Sequence, residues 1–298
     1  MIDIHVHLAD ARCISPGFIA GVAGSMVEGG GSAAGGNVER AVRLYLSDRK
    51  ARRLLSQMDA HGIARSILLI ADFGPALGEP ALSIEEIHEH HAAVAEASGG
   101  RLAFFAGFDP SRGAAALSTV KRWTASPGCE GVKLYPPCGF ELDDERMLPL
   151  WKHCSDNGIP VLTHSGASLP TLRKEQRYPQ SVEEIIRRFP DIRIALAHGM
   201  VWDLDGTIKL LQRHPGNLYS DISSFQLLSP HDLEIMLESC AKVPNQVIFG
   251  SDAPLYDLSG NLGPKLEKMR SILAPEGQAK LFELNAQTFL YGTGTSTD

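Results

Sequence analysis

The chain has no block of basic residues, no apolar run of bilayer length and no Cys-x-x-Cys pair. Each absence removes a class of function. A formal charge of −7, spread along the sequence, leaves no electrostatic footprint for nucleic acid. Without a long apolar run there is no membrane span to place. The five cysteines, Cys13, Cys129, Cys138, Cys154 and Cys240, are odd in number and carry no metal-finger spacing. They read as reduced thiols, and the protein as cytoplasmic. No charged, signal-like segment stands before the first apolar run. No Gly-rich phosphate turn follows that run, which argues against a nucleotide-binding open sheet. No repeat of solenoid period is present.

What is there is an alternation. Of the 298 residues 44% are hydrophobic and 21% charged, enough to bury a large core. Short β-branched or aromatic runs predict strands at 2–8, 64–73, 101–110, 130–137, 159–166, 192–200, 217–223 and 246–252. Amphipathic segments lie between them. In DRKARRLLSQMDAHGI, Leu54, Leu55 and Met58 form one stripe and Gly62 closes the helix. Several others begin with Ser or Asp three residues before an acid, the pattern of a capping box. Eight strands alternating with helices predict an α/β fold, a (β/α)8 TIM barrel with C-terminal helices, as a single domain over 1–298. One segment breaks the rhythm. Residues 9–47 contain GGGSAAGG (29–36), and this composition predicts a Gly-rich, flexible insertion or lid after strand 1, with a surface loop as the alternative.

In such barrels the chemistry sits at the C-terminal ends of the strands. The polar residues at those ends are His5 and His7 on the first strand, Lys133 on the fourth, His164 on the fifth, His198 on the sixth and Asp252 on the eighth. His5 and His7, two apart on a strand, project from one face. One buried histidine is ordinarily a satisfied core residue, but this constellation is the donor chemistry of a divalent metal. The run HEHH at 88–91 is not a His-Glu-x-x-His motif, because Ala92 follows it, and a solvated helix face accounts for it. His61, His153, His214 and His231 sit near helix ends or in loops and need no metal.

The motifs DIHVH, GVKLYPP, VLTHSG, ALAHGM, FGSDAP and LFELNAQTFLYG, in this order over nearly the whole chain, resemble the amidohydrolase superfamily. Within it they are similar to the amidohydrolase-related subgroup that contains aminocarboxymuconate-semialdehyde and resorcylate decarboxylases. The resemblance implies an enzyme with His5, His7, His164 and Asp252 as metal ligands. His198 would be a second-metal ligand or the acid/base histidine, and Lys133 would bridge a second metal as a carbamate or bind a substrate carboxylate. One metal is expected ahead of two. Zn2+ suits the ligand set, with Mn2+ or Fe2+ as alternatives. The expected activity is hydrolysis of a C–O or C–N bond in a small carboxylated molecule through a metal-activated water, with Asp252 accepting a proton and His198 donating one. A non-oxidative decarboxylase or hydratase, a lyase on the same site, is the alternative. A catalytically inactive metabolite-binding barrel is the alternative of another class. Substrate contacts are expected from Lys133, Tyr135, Arg173, Arg177 and Trp202, an arginine clamping a carboxylate bidentately unless it is simply a solvated charge. Cys138 is expected to pack. The partner is a small molecule, and barrels of this kind pair as homodimers by analogy only.

Overall fold

The computed structural model describes residues 1–27, 35–173, 177–255 and 261–293. Eight strands occur where the apolar runs place them: β1 (Ile2–Val6), β2 (Arg65–Leu69), β3 (Leu102–Phe108), β4 (Cys129–Leu134), β5 (Val161–His164), β6 (Ile194–Ala197), β7 (Leu218–Asp221) and β8 (Val247–Ile248). Each pairs in parallel with the next. The sheet curls until its last strand meets its first. Ile4 N–H donates to Phe249 O at 3.1 Å, Asp252 N–H to His5 O at 2.7 Å and His7 N–H to Ala253 O at 2.7 Å. This is a TIM barrel, and its closing seam runs directly through the first and last candidate ligands.

Parallel strands covered on both faces are apolar throughout. Ile4, Ile67, Phe105, Leu162, Ala195 and Ile248 belong to one buried cluster, joined by Phe289 and Leu290 of the C-terminal helix Asn285–Tyr291. Arg193, just before β6, donates to the carbonyls of Phe289 and Leu290 at 2.7 and 3.2 Å, so this helix closes the end where the strands begin. A larger cluster, with Val132, Leu134, Trp151, Ile185 and Leu211, cements the strands to the outer helices.

Local signals in the sequence account for the helices. α1 (Pro16–Val27) and α2 (Gly35–Tyr45) follow β1, and α3 (Arg52–His61) comes next. Asp48 accepts from the N–H groups of Arg52, Arg53 and Leu54, and Gly62, at φ 71°, closes α3 by donating to Met58 O. After β2 come the short helix α4 (Gly74–Leu77) and α5 (Ile84–Ala97), which opens with a complete Ser83/Glu86 capping box. Not every Ser three residues before an acid is a cap: in SVEEII the helix starts at Gln180, so Ser181 lies inside it.

Two expectations change here. In the insertion at 9–47, Ile19 and Ala23 of α1 pack with Ala9, Val42 and Leu46, so apolar spacing prevails over glycine content on either side of 28–34. The centre of the Gly-rich run itself, 28–34, lies outside the described residues. The second change concerns HEHH. His88 and His91 are buried rather than solvated, because α5 turns that face onto the sheet. Gly107 N–H donates to His88 Nε2 at 3.1 Å, and His91 Nδ1–H donates to Ile87 O at 2.7 Å.

Candidate metal centre

The C-terminal ends of the strands bring His5, Lys133, His198 and Asp252 to one buried spot, with His7 and His164 beside them. His5 Nε2 lies 3.5 Å from Asp252 Oδ1 and His7 Nε2 lies 3.4 Å from the same oxygen. Donor atoms of His5, His198 and Asp252 all fall within 4.8 Å of one another. Among the described residues it is one of two such groups, the other being Asp10, Cys13 and His90. The His5, His198 and Asp252 group leaves out two of the expected ligands, His7 and His164, and takes in His198. His164 spends Nε2–H on Ala167 O at 3.0 Å and stands 5.0 Å, ring to ring, from His198.

Hydrogen bonds fix which nitrogen of each imidazole keeps its lone pair. A carboxylate and a carbonyl only accept, so their partners must donate. His5 Nδ1–H therefore donates to Asp221 Oδ2 at 2.7 Å, and His7 Nδ1–H to Leu69 O at 3.0 Å. Ser223 gives its hydroxyl proton to Asp221 Oδ1 at 2.5 Å, so its oxygen accepts from His198 Nδ1–H at 2.7 Å, joined by Ser224 Oγ at 3.0 Å. All three Nε2 atoms are left as donors toward a cation. Asp221 also accepts the backbone N–H of His198 at 2.7 Å. Sequence reasoning missed this residue. It ends β7 as Asp252 follows β8, and the rule that singled out the other candidates at the strand ends applies to it equally.

The electrostatics agree with the geometry. Burial lowers the pKa of His5, takes His164 well below its ordinary value and brings His198 to about 4, so these imidazoles are neutral at pH 7. Burial opposes ionisation of Asp221 and Asp252, but the charge and hydrogen bonds of the neighbouring histidines prevail and hold both below the usual carboxylate range. Desolvation lowers Lys133 to about 8 against the pull of Asp221 and Asp252, which leaves it largely cationic at neutral pH. Three of the four non-glycine residues with positive φ among those described are here, His198 at 66°, Ser224 at 73° and Asp252 at 54°. Such strain persists only where surrounding contacts enforce it. Neutral, tautomer-fixed imidazoles beside an ionised carboxylate fit a divalent metal.

The other candidates divide. Tyr135 lines the cavity and stacks on His164 at 4.2 Å, and Trp202 lines it while 48% exposed. Arg173 and Arg177 do not line it. They pair with Glu141 and Asp143 of the segment after β4, each at 2.6 Å. Burial pushes the Cys138 thiol up to about 12, as suits packing, and all five cysteines are free thiols.

Comparison with known proteins follows the same lines. The family profile described as amidohydrolase matches residues 2–291. No curated protein matches the chain. Among solved structures it is similar to an uncharacterized TIM-barrel protein from Bordetella bronchiseptica, at 18% identity over 99% of both chains with a TM-score of 0.68. A 5-carboxyvanillate decarboxylase from Sphingomonas paucimobilis aligns at 17% identity over 97% of this chain and 98% of its own, with a TM-score of 0.63. A dihydroxybenzoic acid decarboxylase from a Polaromonas species, solved with manganese and 2-nitroresorcinol, aligns at 15% identity over 97% of each chain, again at 0.63. These likenesses establish the shared barrel. With a family match over almost its entire length, the chain belongs to the amidohydrolase family of enzymes.

Proposed function

We propose that this enzyme removes carbon dioxide, without oxidation, from a carboxylic acid bound beside a divalent cation. The observation that carries this reading is Lys133. It is 2% exposed, and it is the one lysine or arginine among the described residues lining a cavity of about 410 Å³ whose floor is the donor cluster. A buried ammonium beside neutral imidazoles holds an anion, and the carboxylate of the substrate is that anion. The solved decarboxylases with this fold act on aromatic acids, which supports the lyase over the hydrolase.

His5, His7, His198 and Asp252 would hold the cation, with His164 at the edge of the set. Zn2+, Mn2+ and Fe2+ all suit such donors, and the manganese of the Polaromonas enzyme favours Mn2+ over the zinc first expected. When bound, the cation draws charge from an anionic oxygen of the substrate. Asp221 keeps His5 and His198 aimed, through Nδ1 and the backbone respectively. Asp252, ionised at rest, takes up a proton and passes it to the carbon bearing the carboxylate. The C–C bond then breaks, its electron pair restores the double bond used in binding the proton, and neutral carbon dioxide leaves. The apolar walls favour this charge-losing step.

One observation favours the hydrolase: an ionised Asp252 is equally ready to accept a proton from an attacking water. Product analysis separates the two. Mn2+-loaded protein given a panel of hydroxylated aromatic acids is expected to release carbon dioxide and, in D2O, to place deuterium on the former carboxyl carbon. Opening of esters or lactones without carbon dioxide release would overturn the lyase reading.

A further inference from the structure

Away from the donor cluster the cavity changes character. A file of rings leads outward: His164 stacks on Tyr135, Tyr135 meets Phe73 edge-on at 4.8 Å, and Phe73 stacks on Phe18 of α1 at 4.3 Å. Val22 and Met26 continue that wall along α1, and Leu169, from the loop after β5, faces them. The charged groups Lys133 and Asp252 are confined to the floor.

Helix α1 is seated closely enough to act as a fixed roof. A Cβ at Gly17 would come within 2.5 Å of Leu77 O, and one at Gly21 within 2.6 Å of Leu169 Cδ1. Ser15, just before the helix, donates its hydroxyl to Leu77 O at 2.7 Å. The two glycines let the helix backbone lie directly on its neighbours, so the roof height is set by packing.

Size then discriminates between ligands. A cavity of about 150 Å³ already takes up benzene, and this one encloses about 410 Å³. A single-ring acid on the floor would leave the upper chamber filled with water against apolar walls, an unfavourable contact that a larger ligand removes. We infer that the substrate is a carboxylic acid with an apolar body larger than one aromatic ring, its carboxylate at Lys133 and its far portion against Phe18, Val22, Met26, Phe73 and Leu169. The carboxylate end of this placement rests on the decarboxylase reading, whereas the apolar end rests on the chamber alone.

The test is calorimetric titration of Mn2+-loaded protein with two unreactive probes, benzoate and para-phenylbenzoate. The second ring is expected to improve affinity about tenfold or more. Val22→Asp, which sets a carboxylate in the apolar wall, is expected to remove most of that gain. Met26→Asp, at a residue already 46% exposed and therefore safe for folding, is expected to reduce it in the same direction. Equal affinities in the wild type, no binding of either probe, or a ratio that ignores both substitutions would overturn the inference. Carbon dioxide release plays no part in this readout. A failed decarboxylase reading with an intact affinity ratio is therefore distinguishable from the reverse.

Discussion

Asp221 does not line the cavity, yet three contacts make it decisive: His5 Nδ1, the His198 backbone N–H and the Ser223 hydroxyl. An asparagine side chain at this position would retain one acceptor oxygen and replace the other with a donor, leaving His5 or Ser223 facing an N–H group. Asp221→Asn is expected to weaken divalent-metal affinity by about 10–100-fold while the fold persists, measured by competition against a chromophoric chelator. Unchanged affinity would show that the tautomers are set elsewhere. The candidate ligands were legible because imidazoles at strand ends are chemically conspicuous. Asp221 ends β7 and meets the same rule, but a carboxylate that touches histidines and not the cavity shows its role only through its partners. Arg173 and Arg177 failed for the opposite reason: a place in a loop does not say which way a side chain turns, and theirs pair with Glu141 and Asp143.

His91, a buried histidine outside the proposed ligand set, gives a test on the same scale. Burial lowers its pKa to about 3, from an ordinary 6.5. Between those values the unfolded chain binds a proton that the folded chain refuses, so stability is full above about pH 6.5 and declines as pH falls toward 3. From pH 7 to 5 this one residue should remove about 2 kcal/mol of unfolding free energy. Urea titrations of the wild type and His91→Gln are expected to show a shallower pH slope in the variant. Equal slopes would mean His91 is not held neutral.

Among the elements, the strands were the most readable, because a continuous apolar run of strand length bounded by turn residues has few other uses. α3 and α5 were readable from their ends, through Gly62 and the Ser83/Glu86 pair. α1 was not. The flexible reading rested on GGGSAAGG beyond its end, whereas within it Gly17 and Gly21 serve close packing against Leu77 and Leu169. Gly17→Ala must displace the helix from the Leu77 carbonyl, a backbone atom that cannot rotate away. The expected result is a loss of about 1–3 kcal/mol in unfolding free energy with metal content preserved, followed by chemical denaturation and metal analysis. Undiminished stability would mean that α1 rides free of α4 and is a mobile cover after all.

Across the whole molecule, the barrel's topology makes the first strand and the last one neighbours. His5 and Asp252 are 247 positions apart in sequence, yet Asp252 N–H donates to the carbonyl of His5 itself at 2.7 Å. Periodicity could predict eight strands, and eight parallel strands could predict closure, which is why the fold was readable from the chain alone. The cavity was not readable at all, since its size depends on how far α1 stands from the strand ends. The central claim is that side chains from the two ends of the polypeptide grip one divalent ion at this seam. Inductively coupled plasma mass spectrometry on protein purified without chelator tests it most directly, with His5→Ala and Asp252→Ala carried in parallel and folding checked by circular dichroism. The account predicts about one equivalent of transition metal in the wild type and its loss from both folded variants. Full occupancy in both would contradict it.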